Sequence, residues 1–444
     1  MKKSNYNFFY QLEQDILAYN ARTNVMAVIE QEKYEQLKNI LRGEESEDKK
    51  FVEELTYGGF IVENHVNELE VIRHDMYANR FSNNGLVLTI APTSDCNFRC
   101  PYCYEKDVLH LQRMTDEIAD KIVEMVENKA SGIGSLRVTW YGGEPLLEFK
   151  RIEDLSKRFM KICEEHEVVY NAGIVTNGYL LTKEVLQKLI EYRVGTIQIT
   201  LDGTKEMHDS KRYLKNHGGT FEKIMSNLLS FKEIVEKAEA FPQINVRMNI
   251  DRKNTEEPFK LLEQFHALSL TQYTNLYIAG VYDRKDIENK ETLNEQEFQT
   301  LKLAFMKKYE EKGVDIGYRA YYPRRITSHC CCDRSDSLVI DAHGNLYKCW
   351  EQIGDISACI GQIGDEQVYN LPKCFYEYMV SDATLEPKCQ KCEILPVCMG
   401  GGCPERVIHN TKEKCLAYKQ LMDMSIEASA KKLGKSIVKR IYLE

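Results

Sequence analysis

The sequence lacks the features of three common protein classes. It has no excess of positive charge, because 59 Lys and Arg against 68 Asp and Glu give a net charge of −9, whereas a general nucleic-acid binder is basic. No apolar run approaches the roughly 20 residues that span a bilayer. The opening MKKSNYNFFYQLEQD contains no continuous apolar segment, so it does not resemble a signal peptide. We therefore expect a cytoplasmic protein that binds neither nucleic acid nor membrane.

Cysteine, by contrast, is abundant. The chain has 15 cysteines in 444 residues, and eleven of them lie between Cys330 and Cys415. A secreted disulfide scaffold is one explanation, but the number is odd, the chain is large and no export signal precedes it. In a reducing compartment such clusters more often bind metal.

The first 80 residues have a pattern of their own. NFFYQLEQDILAYNARTNVMAVIE (7–30) predicts two or three short strands, and QEKYEQLKNILRG (31–43) predicts an amphipathic helix that ends at Gly43. FVEELTYGGFIVEN (51–64) predicts a short helix and then a strand. We expect a small α+β module here, with no obvious chemistry of its own.

From about residue 85 to residue 320, apolar β-type segments alternate with helical ones. The six candidate strands contain LVLTIAP, LRVTWYGG, NAGIVTNG, TIQITLDG, INVRMNID and NLYIAG. Repeated β–α units of roughly 30 to 45 residues predict an α/β fold with a parallel sheet, and six strands suit a partial (β/α)6 barrel as well as an open sheet. In either fold the site is expected at the C-terminal ends of the strands.

Three cysteines follow the first of these strands directly, in APTSDCNFRCPYCYE (91–105). A zinc site with three protein ligands favours histidine, whereas ligation by Cys96, Cys100 and Cys103 alone indicates an iron–sulfur cluster. Three thiolates on a cubane leave the fourth iron with an open coordination position. We expect a substrate or cosubstrate to bind there.

The spacing Cys96-x3-Cys100-x2-Cys103, with Tyr102 before the last cysteine, resembles the signature of radical S-adenosylmethionine (SAM) enzymes. The resemblance implies a [4Fe–4S] cluster whose open iron chelates the amino and carboxyl groups of SAM. It implies cleavage of SAM to a 5′-deoxyadenosyl radical that abstracts hydrogen. It also implies that Tyr102 shields the cluster or stacks near the adenine, with simple packing as the alternative.

Later strand ends resemble further motifs of that family. In WYGGEP (140–145), the backbone of Gly142, Gly143 and Glu144 would receive the ammonium group of SAM. Candidate polar contacts to SAM, each of which has a turn or cap role as its alternative, are Asn177 in TNG and Asp202 and Arg212 in QITLDGTKEMHDSKR (198–212). His208 could be a base, but we expect a hydrogen-bonded structural histidine. Cys163 is expected in the core.

The C-terminal cysteines resemble the SPASM extension, which carries two auxiliary [4Fe–4S] clusters. They lie in CCCDRSDSLVIDAHGNLYKCW (330–350) and CQKCEILPVCMGGGCP (389–404), followed by Cys415. The resemblance assigns the distal cluster to Cys389, Cys392, Cys398 and Cys415. It assigns the nearer cluster to Cys349, Cys403 and one or more of Cys330, Cys331 and Cys332, with Cys330 or Cys332 preferred and an iron left open for a substrate thiolate as a further option. The last spacing in the second segment is x4 where the family has x3, and we expect ligation to survive it.

The family resemblance extends to function. It is nearest to peptide maturases of the ranthipeptide and sactipeptide type, which implies sulfur-to-carbon thioether crosslinks in a ribosomally made, cysteine-rich precursor peptide. Sulfatase maturases place an aspartate base after the cysteine equivalent to Cys349, where this chain has Trp350. Carbon–carbon crosslinking and sulfatase maturation remain alternatives, as does a non-catalytic zinc adaptor.

The same resemblance implies three domains and several partners. Residues 1–80 would bind the leader of the precursor as an added strand, or else cap the barrel. Residues 81–320 would form the radical SAM barrel and 321–444 the SPASM domain. The cofactors would be three [4Fe–4S] clusters and SAM, with flavodoxin or ferredoxin as electron donor.

Overall fold

The computed structural model describes residues 1–106, 112–237, 242–281, 291–314, 322–365, 371–401 and 413–442. The chain forms two compact units. The smaller unit comprises residues 1–81, 315–334 and 377–444, and the larger unit comprises residues 82–314 and 335–376. Compact units are not functional domains, so the division into 1–80, 81–320 and 321–444 stays a prediction.

Six neighbouring parallel strands form the centre of the larger unit. They are β6 (Gly85–Ile90), β7 (Ser135–Trp140), β8 (Val169–Thr176), β9 (Val194–Thr200), β10 (Gln243–Ile250) and β11 (Thr274–Gly280). Each of the six strands predicted from apolar pattern is present. In β7, the fully buried Leu136, Val138 and Trp140 alternate with less buried residues, which is the period of a strand.

Three short strands extend this sheet beyond β6. They are β12 (Ser337–Ile340), β13 (Asn345–Tyr347) and β14 (Gly361–Gln362), and the full order is β11-β10-β9-β8-β7-β6-β12-β13-β14. β12 pairs parallel to β6, whereas β13 and β14 continue antiparallel. The strand next to the predicted cysteine site is therefore paired on both sides.

Helices connect the parallel strands, as the alternating pattern predicts. In the larger unit they are α4 (Asp116–Ala130), α5 (Phe149–Glu165), α6 (Lys183–Glu191), α7 (Lys205–Lys211), α8 (Phe221–Ser230), α9 (Lys232–Val235), α10 (Glu257–Ala267) and α11 (Glu295–Glu311). A further helix, α12 (Lys373–Val380), includes the boundary between the units. Cys163 lies on α5 and is buried, as predicted.

The smaller unit contains a four-stranded antiparallel sheet. It has the order β15-β2-β3-β4 and consists of β2 (Asn7–Leu12), β3 (Asp15–Asn20), β4 (Val25–Glu30) and β15 (Ile437–Ile441). A two-stranded pair of β1 (Lys2–Lys3) and β5 (Ile61–Val62) accompanies it. The predicted strands and helix of residues 7–43 are present, whereas the pairing of β15 with β2 was not predicted.

The helices of the smaller unit come from both ends of the chain. They are α1 (Tyr34–Leu41), α2 (Lys49–Tyr57), α3 (Glu68–Arg80), α13 (Pro387–Gln390), α14 (Leu395–Cys398) and α15 (Glu413–Lys432). One apolar core joins the two ends, since Phe8 and Tyr19 belong to the same buried cluster as Cys398 and Ile426. Within the described ranges, no helix combines the length and apolar character that a membrane-crossing segment needs.

Candidate active site

The three predicted cysteines lie on the loop that follows β6. The Cys96 thiol accepts the amide of Phe98 at 3.4 Å, and the amide of Cys103 donates to the carbonyl of Cys100 at 3.2 Å. Burial and the nearby Glu144 raise the pKa of Cys96 to about 12, and burial raises the pKa of Cys103 to about 11. These thiols would therefore become thiolates at neutral pH only when a metal centre offsets the negative charge.

Two glycines bring the end of β7 against this loop. A Cβ at Gly142, whose φ is +100°, would lie 2.7 Å from the carbonyl oxygen of Thr93. A Cβ at Gly143 would lie 2.2 Å from the carbonyl oxygen of Asp95, which also accepts the amide of Glu144 at 2.8 Å. The glycines thus permit close backbone approach to the segment that leads into Cys96. Their contact with SAM stays a prediction.

The Glu144 side chain connects two strand ends. Its carboxylate is fully buried and accepts hydrogen bonds from the Thr176 hydroxyl and the Asn177 backbone amide, each at 2.7 Å. Thr176 is the last residue of β8, and Asn177 follows it. Burial raises the pKa of Glu144, and these hydrogen bonds oppose that shift. Only the backbone of Glu144 was predicted to contact SAM, whereas its side chain has a structural role.

Asn177 has the turn role that was the alternative to a SAM contact, and the SAM contact stays a prediction. Its side-chain Oδ1 accepts the amide of Tyr179 at 3.0 Å, which is a turn contact. Its Nδ2 donates to Asn97 Oδ1 at 2.7 Å and lies 3.9 Å from the Cys96 sulfur. The residue therefore fixes the turn after β8 and also faces the cysteine loop.

Tyr102, Asp202 and Arg212 form one chain of hydrogen bonds. Arg212 Nη1 donates to the Tyr102 oxygen at 2.7 Å, and the Tyr102 hydroxyl donates to Asp202 Oδ2. Asp202 is fully buried, and burial raises the pKa of Tyr102 well above its ordinary value. Among the described residues Arg212 Nε has no hydrogen-bond partner. That buried donor is available to an anionic group bound beside the cysteine loop.

His208 is structural, as expected. Its Nδ1 accepts the amide of Asp202 at 3.3 Å, so Nε2 carries the proton and donates to Thr220 Oγ1 at 3.0 Å. Thr220 in turn donates to the carbonyl of Arg212 at 2.6 Å. Burial lowers the pKa of His208 to about 3. The ring is therefore neutral at physiological pH and positions the segment that carries Asp202 and Arg212.

The four cysteines predicted for the distal cluster lie in the smaller unit and influence one another electrostatically. Burial and the thiols of Cys392, Cys415 and Cys389 raise the pKa of Cys398 to about 12. Burial and the thiols of Cys392 and Cys415 likewise raise the pKa of Cys389. A set of four thiols is the donor chemistry that an iron–sulfur cluster requires.

The second predicted set is only partly described. Cys330 and Cys332 lie in the smaller unit, with their sulfur atoms 3.1 Å apart. Hydrogen bonds from Cys331 and Cys332 hold the pKa of Cys330 far below its ordinary value. Cys349 belongs to the larger unit, and Cys403 lies outside the described residues. In the described part of the chain, no three His, Cys, Asp or Glu side chains converge on a single metal ion.

Comparison with known proteins identifies the enzyme class. The model of the radical SAM superfamily matches residues 90–265, which include the cysteine loop and the strand ends described above. The chain is a radical SAM enzyme. Its cofactors are SAM and a [4Fe–4S] cluster.

Several curated relatives and solved structures resemble this radical SAM enzyme. A cysteine-type anaerobic sulfatase-maturating enzyme of Clostridium novyi is 23% identical over 347 residues, which are 71% of this chain and 87% of the relative. A GTP 3′,8-cyclase of Clostridium perfringens is 33% identical over 205 residues, which are 45% of this chain and 54% of that enzyme.

The solved structures establish the fold. The structure of anSMEcpe with bound AdoMet and Cp18Cys peptide has a TM-score of 0.59 at 19% identity and covers 78% of this chain and 99% of its own. Streptococcus suis SuiB bound to S-adenosylmethionine has a TM-score of 0.52 at 14% identity and covers 93% and 98%. The predicted α/β partial barrel with an N-terminal module and a C-terminal cysteine-rich region is confirmed.

The residues of this radical SAM enzyme fit the cluster. The cysteine loop offers three thiols, the glycines after β7 let their segment pack closely against it, and Arg212 Nε is a buried donor without a partner among the described residues. That Cys96, Cys100 and Cys103 bind the cluster, and that the strand-end residues bind SAM, stays a prediction. The chemistry of the donor set supports it.

An aromatic group near the cysteine loop was not predicted from sequence. The Tyr141 and Trp350 rings stack with centroids 5.4 Å apart and planes at 10°, and the Tyr104 hydroxyl donates to the Tyr141 oxygen at 2.8 Å. Burial raises the pKa of the adjacent Glu105 to about 7. Tyr141 lies inside WYGGEP, but nothing in the sequence pairs that motif with Trp350, about 200 residues later.

Proposed function

We propose that this enzyme is a peptide maturase that installs sulfur-to-carbon thioether crosslinks in a ribosomally made, cysteine-rich precursor peptide. The observation that carries the proposal is the open edge of the sheet in the smaller unit, in a chain that also has a radical SAM site. Such an edge can bind an extended peptide, which is the substrate class that a maturase must recognise.

The open edge that we propose for the peptide is β4, since β15 is the strand at the other edge. It is the last strand in the order β15-β2-β3-β4, so one side of Val25–Glu30 has no partner strand among the described residues. Beside it lies a cavity of about 200 Å³ whose lining includes Val28, Lys33, Phe51 and Phe60. Val28 is 43% exposed, so this apolar side chain is accessible to a peptide. A leader peptide would add as a strand to β4 and place alternate apolar side chains in this cavity.

The strand ends of the larger unit would hold SAM and the cluster. Cys96, Cys100 and Cys103 would bind three irons, and the backbone at Gly142 and Gly143 would receive the ammonium group of SAM. Arg212 Nε is the available donor for its carboxylate. Tyr102 would hold Arg212 and Asp202 in place through their hydrogen bonds rather than stack on the adenine.

The remaining cysteines would hold two auxiliary clusters. Cys389, Cys392, Cys398 and Cys415 would bind the distal one, and their electrostatic influence on one another supports this assignment. Cys349, Cys403 and either Cys330 or Cys332 would bind the nearer one. When bound, the first cluster and SAM would supply radical abstraction of hydrogen from carbon, and the auxiliary clusters would supply the acceptor for the electron released as substrate sulfur bonds to that carbon. The peptide loses two hydrogen atoms for each crosslink.

Sulfatase maturation is the second candidate, because a relative of that name covers most of this chain. The solved anSMEcpe structure also contains a peptide. Trp350 argues against this candidate, since it occupies the position where the resemblance expects an aspartate base. Its ring stacks on Tyr141 with nearly parallel planes. An indole cannot act as the base that takes a proton from a substrate hydroxyl or thiol.

The test is anaerobic reconstitution with SAM, a reductant and a precursor peptide encoded beside the enzyme. We expect a mass loss of about 2 Da per crosslink, and tandem mass spectrometry that places the bond between cysteine sulfur and carbon. The Cys96→Ala variant should give neither the mass loss nor deoxyadenosine. A carbon–carbon bond would favour the other maturase class, and conversion of a sulfatase peptide without any leader would favour sulfatase maturation.

A further inference from the structure

A small cavity lies in the smaller unit, next to the loop that carries Cys330–Cys332. Its volume is about 10 Å³, and its lining includes Arg80, Ser328, His329, Asp333 and Met399. This is about the space that one water molecule needs. Nothing in the radical SAM chemistry described above uses these residues.

The cavity is surrounded by buried charge. Arg80 is 3% exposed and Asp333 is 1% exposed, with Arg80 Nη2 and Asp333 Oδ2 3.9 Å apart. Arg80 Nη1 donates to the carbonyls of Met379 and Ser381 at 3.1 and 2.8 Å. The Asp333 carboxylate accepts the Ser328 hydroxyl at 2.7 Å and the His329 amide at 3.1 Å. Arg80 at the end of α3 is therefore connected through Asp333 to the loop that carries Cys330–Cys332.

Two polar atoms in this lining lack a partner among the described residues: Arg80 Nε and His329 Nδ1. His329 Nε2 lies 3.0 Å from the carbonyl oxygen of Met399, which can only accept, so Nε2 carries the proton. Nδ1 is then an acceptor and Arg80 Nε–H is a donor. Buried polar groups are nearly always paired, so a missing ligand is indicated.

We infer that one water molecule occupies this cavity, accepts from Arg80 Nε, donates to His329 Nδ1, and makes Arg80 and His329 positioning residues for the auxiliary cysteines. The inference rests on the proposed auxiliary clusters. Water satisfies both atoms at once, because it is a donor and an acceptor, and Asp333 can receive its second hydrogen.

The bridge connects two cysteine-bearing segments. His329 precedes Cys330 directly, and Met399, to which it donates, follows Cys398 directly. Met399 has a positive φ of 43°, so the backbone at this point is unfavourable for a non-glycine residue and needs external support. The water-bridged network supplies that support, and it fixes the distance between the loop of Cys330 and Cys332 and the end of α14.

The first test is crystallographic. A high-resolution structure of the iron-loaded enzyme should show an ordered water within hydrogen-bond distance of Arg80 Nε and His329 Nδ1. An empty cavity, or a side chain filling it, would overturn the inference. This measurement does not depend on whether any variant folds.

The second test compares Arg80→Met with Arg73→Met, which changes an arginine on the same helix that lies outside the cavity lining. With three clusters, the wild type should hold about twelve irons. Arg80→Met should lose a third to two thirds of them and broaden the auxiliary-cluster signals in electron paramagnetic resonance. The SAM-dependent change in the signal of the first cluster should persist, and Arg73→Met should match the wild type.

The outcomes separate this inference from the proposed function. A wild type with only about four irons would remove the auxiliary clusters themselves. A wild type with about twelve irons, together with an Arg80→Met variant of unchanged iron content and unchanged spectra, would leave the clusters in place and contradict the positioning role.

Discussion

The cysteines of the two units are held by different means. In the larger unit, Cys96 lies on a loop fixed by buried polar groups: the Glu144 carboxylate, the Asn177 amide and the Tyr102–Asp202–Arg212 chain. In the smaller unit, Cys389 and Cys398 are 8% and 7% exposed and belong to an apolar core. The first arrangement can exist before a metal binds, whereas the second uses the thiols as part of the core. Loss of metal should therefore have local consequences in the larger unit and structural consequences in the smaller one.

The largest expected difference is between Cys96→Ala and Cys398→Ala. The first should abolish deoxyadenosine formation with little change in thermal stability, because its loop is fixed by other contacts. The second should lower the apparent Tm by several degrees, since it removes a buried side chain and a cluster ligand together. Calorimetry and a deoxyadenosine assay measure both, with the buried Cys163→Ala as a control that keeps its iron. Equal loss of stability in the two variants would contradict the comparison.

Removal of iron tests the same comparison without substitution. After anaerobic chelation, we expect amide hydrogen exchange to accelerate strongly in residues 387–398 and 413–432. Exchange in β6 to β11 should change little outside the cysteine loop, because these strands are paired to one another independently of metal. Uniform acceleration across both units would show that the metal supports both alike.

Gly143→Ala tests whether the larger unit needs the close approach of Gly143 to the segment before Cys96. Its new Cβ would lie 2.2 Å from the Asp95 carbonyl oxygen, so the loop before Cys96 must move. Overpacking of this kind costs about 1–3 kcal/mol, and we expect reduced iron in the SAM-binding cluster with normal iron elsewhere. Gly195→Ala is the matched control, since nothing lies within 4 Å of its Cβ position. Normal iron content in Gly143→Ala would show that the close approach is not required.

His208 gives a pH-dependent prediction. Its pKa is about 3 in the folded enzyme against an ordinary value of 6.5, so below pH 6.5 only the unfolded chain takes up this proton. Stability from this residue is complete above that pH and falls as the pH decreases, by about 1.4 kcal/mol per unit. We expect the free energy of unfolding, measured with denaturant, to fall between pH 8 and pH 5.5 in both proteins. The fall should be about 1.4 kcal/mol smaller in His208→Gln than in the wild type. Identical losses would mean that His208 titrates normally.

The smallest expected effect concerns the aromatic stack. Trp350→Leu removes a ring stacked on Tyr141, an interaction worth about 0.5–1.5 kcal/mol. If this surface orients the peptide, kcat/KM for the precursor should fall about two- to tenfold. Deoxyadenosine formed without peptide should not change. A fall in the peptide-free reaction instead would place Trp350 in the cluster or SAM site.

Much of the larger unit could be predicted because its signals are local. The six strands are short apolar segments bounded by turns, and the cysteine loop has its whole spacing within eight residues. The contacts that fix this loop are not local. Glu144 meets Thr176, and Tyr102 meets Arg212 across 110 residues, and a pattern of residue types does not specify such pairs.

The smaller unit was harder to predict for the same reason. β15 (Ile437–Ile441) pairs with β2 near the other end of the chain, and its segment is too polar and short to indicate a strand. The Arg80–Asp333 pair likewise joins residues from two distant segments. The sequence indicated which cysteines are candidates there, while their common core depends on tertiary packing.

The most direct test of the account is a count of products by the iron-loaded enzyme with SAM, dithionite and its precursor peptide under anaerobic conditions. We predict one 5′-deoxyadenosine for each thioether formed, and neither product from Cys96→Ala. A wild-type enzyme with full iron that formed no deoxyadenosine, or that formed it while leaving every peptide cysteine unlinked, would contradict the account.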